Sequence, residues 1–131
     1  MDKIEKTEQE WAEELNEEQF YVLRKKGTER AFTGIWLENK EAGTYACAGC
    51  GQPLFHSSAK YNSGSGWPSY FQPLAKEAVH LQSDTSHGMV RTEVSCARCG
   101  GHLGHLFDDG PQPTGQRYCV NAVSLQFKKQ D

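Results

Sequence analysis

The chain has 131 residues, with 14 Lys and Arg against 17 Asp and Glu and a formal charge of −3 at pH 7. That balance leaves no basic face to neutralise phosphates and disfavours a primary role on nucleic acid. The length suits one domain over 1–131, big enough for a core and small enough for a metal staple to add materially to its stability. No apolar stretch approaches the roughly 20 residues that cross a bilayer. Met1-Asp-Lys-Ile-Glu-Lys6 also lacks the apolar region of a secretory signal. A cytoplasmic, reducing setting without membrane contact is therefore expected, where cysteines bind metal in preference to each other.

From Glu8 to Lys26 the apolar residues Trp11, Leu15, Tyr21, Val22 and Leu23 stand among Glu and Lys at partly helical spacing. The segment 1–26 thus reads as one or two small amphipathic helices packed on the body, with Thr7 and Glu10 as a possible capping box and the acidic stretch from Glu8 to Glu18 as a solvated face. After Gly27 the sequence turns to glycine, aromatics and short alternating runs, including Gly43-Thr-Tyr-Ala46, Val90-Arg-Thr-Glu-Val94 and Tyr118 to Phe127. Turn signals separate them, the mark of a mainly antiparallel β domain. Residues 108–116 hold too much Pro and Gly for a strand or helix and form an irregular loop leading to the last run.

Two knuckles of the same Cys-x-x-Cys spacing, Cys47-Ala-Gly-Cys50 and Cys96-Ala-Arg-Cys99, supply four of the five cysteines. Each such turn lets two sulfurs meet one ion at about 2.3 Å, so together they form a four-thiolate set suited to structural zinc. The 45 residues between them mean that the ion would join segments distant in sequence. Structural zinc binding is worth about 10–16 kcal/mol in small peptides, so chelation should loosen or unfold the chain. Two redox-active pairs, or iron on four thiolates, are alternatives on ligands alone.

Cys119 is left over. Strand periodicity puts Arg117, Cys119 and Asn121 on one face, continuing as Val123, Leu125 and Phe127. A guanidinium and an amide beside the sulfur can lower its pKa and raise its reactivity, although a lone strand cysteine is often only a small buried hydrophobe. His102 and His105 follow directly on the second knuckle and offer proton transfer near neutrality. They could instead be further metal ligands or structural imidazoles. Trp67, between glycines and Pro68, suits a pocket wall.

Gly64-Ser-Gly-Trp-Pro-Ser69, His102-Leu-Gly-His-Leu-Phe-Asp-Asp-Gly-Pro111 and Arg117-Tyr-Cys-Val-Asn121, set between and after two knuckles, resemble the methionine-R-sulfoxide reductase B family. Phe20-Tyr-Val22, Gly27-Thr-Glu-Arg-Ala-Phe-Thr-Gly34, Phe55-His56 and Ser86-His-Gly-Met89 extend the resemblance over roughly residues 17–128. It implies two antiparallel sheets in a tent-like arrangement with small N-terminal helices, a zinc ion remote from the chemistry, and reduction of the R epimer of methionine sulfoxide in proteins and peptides. By position it implies Cys119 as nucleophile, His102 and His105 lining the site, and Trp67 packed on the substrate methyl. Phe107, Arg117, Asn121 and Asp109 would complete the surroundings.

Many members of that family carry a resolving cysteine where this chain has Ser65. With four cysteines committed to zinc, Cys119 sulfenic acid would have to be reduced directly by an external thiol, thioredoxin or a smaller one. A monomer is expected. Two other readings use the same residues. A zinc-dependent binding module would need the metal but not Cys119, and a Cys-His hydrolase would need an oxyanion hole that the sequence does not reveal.

Overall fold

The computed structural model describes residues 3–130 except for the side chain of His87, so residues 1, 2 and 131 of the expected 1–131 domain lie outside it. Helix α1 (Glu8–Glu14) starts at Thr7, whose hydroxyl accepts from Glu10 N at 3.1 Å while Glu10 Oε1 accepts from Thr7 N at 2.9 Å. This is the expected capping box. Asn16 and Gln19 form a second one, at 2.8 and 3.1 Å, which ends one helix and begins α2 (Glu17–Lys25). Val22 and Leu23 are buried and α2 packs on the sheet below, whereas Tyr21 is more than half exposed. Trp11 is buried with Lys6 Nζ 4.8 Å from its ring centroid and the Arg24 guanidinium 4.7 Å away.

The β body has two antiparallel sheets. One runs β2 (Pro53–His56), β1 (Gly43–Cys47), β9 (Leu125–Lys129). The other runs β3 (Lys60–Tyr61), β4 (Ser69–Tyr70), β8 (Arg117–Val120), β7 (His102–Phe107), β6 (Arg91–Cys96), β5 (Val79–Asp84). Between them Phe55 stacks on Tyr70 at 4.4 Å, Tyr45 meets Tyr70 edge-on at 5.4 Å, and Leu54, Val94, Leu103 and Val120 are fully buried. Each such side chain contributes about 1.5–3 kcal/mol. No helix among the described residues is long and apolar enough to cross a membrane.

The run Tyr118 to Phe127 is not one strand, and Cys119 does not share a continuous face with Val123, Leu125 and Phe127. β8 stops at Val120, a 3-10 turn occupies Ala122–Ser124, and β9 then pairs with β1 in the other sheet. The break is held from a distance: the Glu29 carboxylate accepts from Val123 N at 2.8 Å, and Ser124 Oγ donates to His102 O at 3.0 Å. Alternation in sequence continues across the turn, but the sheet does not.

Candidate active site

Each cysteine knuckle is the turn of a hairpin, one between β1 and β2 and the other between β6 and β7. Their backbones match: Gly51 N donates to Cys47 O and Gly100 N to Cys96 O, both at 2.8 Å, with φ of +81° and +77° at the two glycines. Cys47 Sγ lies 3.7 Å from Cys99 Sγ and Cys50 Sγ 3.5 Å from Cys96 Sγ, with all four sulfurs within 4.8 Å of one another. A tetrahedral ion with bonds of about 2.3 Å requires sulfur–sulfur edges of about 3.8 Å. The four thiols therefore converge closely enough to hold one metal ion, and the knuckles that carry them belong to different sheets. The N-terminal segment seals the second knuckle, since Ile4 N donates to Arg98 O at 2.8 Å and Arg24 Nη1 to Cys99 O at 2.9 Å.

Cys119 lies on β8 with His105 of β7 directly opposite. Gly104 makes that approach possible, because a Cβ there would sit 1.8 Å from Cys119 O. The two residues line a cleft of about 110 Å³ together with Trp67, Phe107, Asn121, Thr28, Arg91 and Gly104. It is much smaller than the 300–1,000 Å³ of a typical drug-sized site, so it accommodates the end of one side chain. Trp67 is held by its indole N–H, which donates to Glu29 O at 2.9 Å. Asn121 is buried, donating from Nδ2 to Leu103 O at 3.0 Å and accepting at Oδ1 from Glu29 N at 2.9 Å.

The thiol is not activated in the way its neighbours in sequence suggest. Burial pushes the Cys119 pKa up, and the opposing pull of the nearby Arg117 guanidinium and Ser65 hydroxyl does not cancel it. Arg117 is itself diverted. Its Nε and Nη2 donate to the Asp109 carboxylate at 2.8 and 3.1 Å, holding that acid below its usual range, and its guanidinium sits 4.4 Å over the Phe107 ring. Asp109 and Arg117 thus both stand outside the cleft wall, with Arg117 packed over Phe107, which does line it.

The histidines share a face because β7 carries a bulge. Ser95 pairs with His102 and Val94 with Gly104, so Leu103 is an extra residue pointing into the core. Without it, residues three apart would face opposite sides of the sheet. The rings lie 5.5 Å apart, edge to face. His102 is only 3 % exposed, is not part of the cleft wall, and bonds through Nδ1 to Glu93 at 2.7 Å; burial pushes its pKa down although Glu93 opposes this. His105 does line the cleft, with Nε2 2.8 Å from Asp84. Sequence spacing points to neither carboxylate, nor to Thr28 or Arg91, because hairpin register and long-range folding bring them in.

Residues 15–129 match the family model described as the SelR domain. Across its whole length the chain is 58% identical to the peptide methionine sulfoxide reductase MsrB of Hahella chejuensis, covering 94% of that protein. It is 56% identical over 128 residues to the protein of the same name from Leptospira interrogans, covering 98% of each, and 56% identical over 129 residues to that of Methanosarcina mazei, covering 98% of this chain and 92% of the relative. Likeness of that extent, spanning both knuckles and the whole of the cleft, places the chain in the methionine-R-sulfoxide reductase B family.

Proposed function

We propose that this protein is an oxidoreductase that reduces the R epimer of methionine sulfoxide in proteins and peptides, with Cys119 as nucleophile. The observation that carries the proposal is the position of Cys119 in a cleft sized for a side-chain end, lined also by Trp67 and Phe107, with His105 as its cross-strand partner. The aromatic rings hold the S-methyl group, and His105 faces the oxygen. Because methyl and oxygen then occupy fixed sides, the mirror-image sulfoxide does not fit.

A sulfoxide oxygen leaves poorly as an oxide, so attack by Cys119 sulfur on the substrate sulfur requires a proton delivered to oxygen. Methionine departs as the thioether, its sulfur reduced by two electrons, and the oxygen passes to Cys119 as sulfenic acid, that sulfur oxidised by two. His105 is the proton donor this geometry favours. His102, buried against Glu93, supports its ring, while Arg117, steadied by Asp109, and Asn121 shape the thiol's surroundings.

Ser65 is near enough to the Cys119 thiol to affect its pKa, and it stands at the sequence position where many members of the family carry a resolving cysteine. The remaining cysteines are gathered in the metal set. Recycling therefore proceeds by an external thiol, thioredoxin or a smaller one, attacking the sulfenic acid with loss of water; a second thiol resolves the mixed disulfide. Zinc is the ion we assign to Cys47, Cys50, Cys96 and Cys99, since four thiolates in a closed tetrahedron suit a structural role without redox chemistry. A reducing compartment such as the cytoplasm, and a monomeric enzyme, accord with this cycle.

Incubated with excess dithiothreitol and a methionine-sulfoxide peptide, the protein should consume the R epimer alone, and Cys119→Ser should consume neither. Loss of the S epimer, or an active Cys119→Ser, would refute the mechanism, and inertness of the parent protein toward both would favour a binding module. Elemental analysis should find one zinc per chain, and its removal by a chelator should bring cooperative loss of the near-ultraviolet circular dichroism; an intact spectrum without metal would show that the ion is dispensable. Because burial raises the Cys119 pKa, alkylation of the resting thiol by iodoacetamide should increase with pH to a midpoint above that of a free thiol. Arg117→Ala should move that midpoint higher still, since the guanidinium pulls the pKa down.

A further inference from the structure

Two carboxylates hold the two histidines, but only one of these pairs reaches the cleft. His105 Nε2 lies 2.8 Å from Asp84 Oδ2, and Arg91 Nη2 lies 3.6 Å from the same oxygen. Asp84 and Arg91 are Cα partners in the β5–β6 hairpin, so the Asp84 side chain reaches His105 across β6. Among the described residues, three other titratable groups face this imidazole from its own and its neighbouring strands. Glu93, its partner on β6, is taken by His102 and Lys26; His102 is edge-on along β7; Cys119 faces it from β8.

An ionised carboxylate can only accept hydrogen bonds. Hydrogen bonds from His105 and Ser86 hold the Asp84 carboxyl far below the usual range, so it is ionised throughout the neutral region. The ring nitrogen facing it must then carry the proton, and the other nitrogen is left to exchange one with the cleft.

We propose that Asp84, backed by Arg91, is a positioning residue that fixes His105 with its Nε2–H on the carboxylate, so that the proton delivered to the substrate oxygen leaves from Nδ1. This rests on the reductase reading. In the step, the Cys119 thiol first gives its proton to His105 Nδ1. The thiolate then bonds to the substrate sulfur as imidazolium His105 returns the Nδ1 proton to the sulfoxide oxygen. The hydroxyl passes to the Cys119 sulfur as the substrate's sulfur–oxygen bond and the transient Cys119–substrate sulfur bond break and release the thioether. The same proton ends on the Cys119 sulfenic acid, and His105 is left neutral, still bonded to Asp84 through Nε2–H.

Asp84 also accepts from Ser86 N at 2.9 Å through Oδ1, which secures the 3-10 turn Ser86–Gly88, so loss of activity alone would not establish the role. The test combines the ring ¹⁵N spectrum of His105, assigned by its loss in His105→Gln, with steady-state kinetics on an R-sulfoxide peptide for the parent, Asp84→Ala and Asp84→Asn. The parent should show the Nε2–H form when neutral. Asp84→Ala should lose that preference, with kcat down by about tenfold or more, a share of the ~10²–10⁴ that a positioned general acid supplies, and KM within about twofold. Asp84→Asn keeps an accepting oxygen and should restore both the tautomer and most of kcat. A neutral parent carrying Nδ1–H would overturn the proposal. So would an Asp84→Ala protein that changes tautomer with kcat intact, or one that loses kcat with the tautomer unchanged. Failure of the parent to reduce either epimer would refute the reductase reading, and with it the route of the proton, while the ring spectrum would still decide the tautomer.

Discussion

The convergence of four cysteines from two hairpin turns is the constraint on which the other parts of this structure depend. Cys47 ends β1 and Cys96 ends β6, strands of different sheets, and their sulfurs gather with those of Cys50 and Cys99 within 4.8 Å. Between the two knuckles the chain travels 45 residues, and closing so long a loop costs conformational entropy that a bound ion would offset. β7 leaves the second knuckle and begins at His102, so the point at which the sheets are joined also sets where the imidazoles start. The N-terminal helices complete that end of the molecule, with Arg24 bound to the knuckle carbonyl and the Trp11 ring in contact with the Lys6 and Arg24 cations.

At the other end of β7 the requirement is electrostatic. The cleft brings a thiol, an imidazole and two aromatic rings into a space of about 110 Å³, and burial there disfavours charge on sulfur. Arg117 offsets only part of this, because its guanidinium is shared with Asp109 and with the face of Phe107. The imidazoles are steadied in the same way by carboxylates outside the cleft wall, His102 by Glu93 and His105 by Asp84. One spare residue in β7, Leu103, turns the two rings to a common side while filling the core.

Much of this was legible in the sequence where the information is local. The capping box at Thr7, the irregular loop over 108–116 and the metal-binding spacing of the knuckles are patterns confined to a few residues. What could not be read depends on distant partners. The break after Val120 is held by Glu29, 94 residues from Val123, so alternation through Val123 suggested a longer strand than forms. Proximity of Arg117 to Cys119 suggested a lowered pKa, but burial and the pairing with Asp109 are products of the fold and reverse the outcome. Asp84 and Arg91 reach His105 only through hairpin register, and the common face of His102 and His105 exists only because of the bulge.

The central claim is that one sulfur, Cys119, receives the oxygen and waits for an external thiol. It is tested most directly by a single turnover without reductant, in which the reduced protein meets an R-sulfoxide peptide in the presence of dimedone and is then mapped by mass spectrometry. The account predicts a single equivalent of methionine per chain, dimedone carried on Cys119 alone, and no new disulfide. Methionine formed without the Cys119 adduct, or a disulfide joining Cys119 to Cys47, Cys50, Cys96 or Cys99, would contradict it.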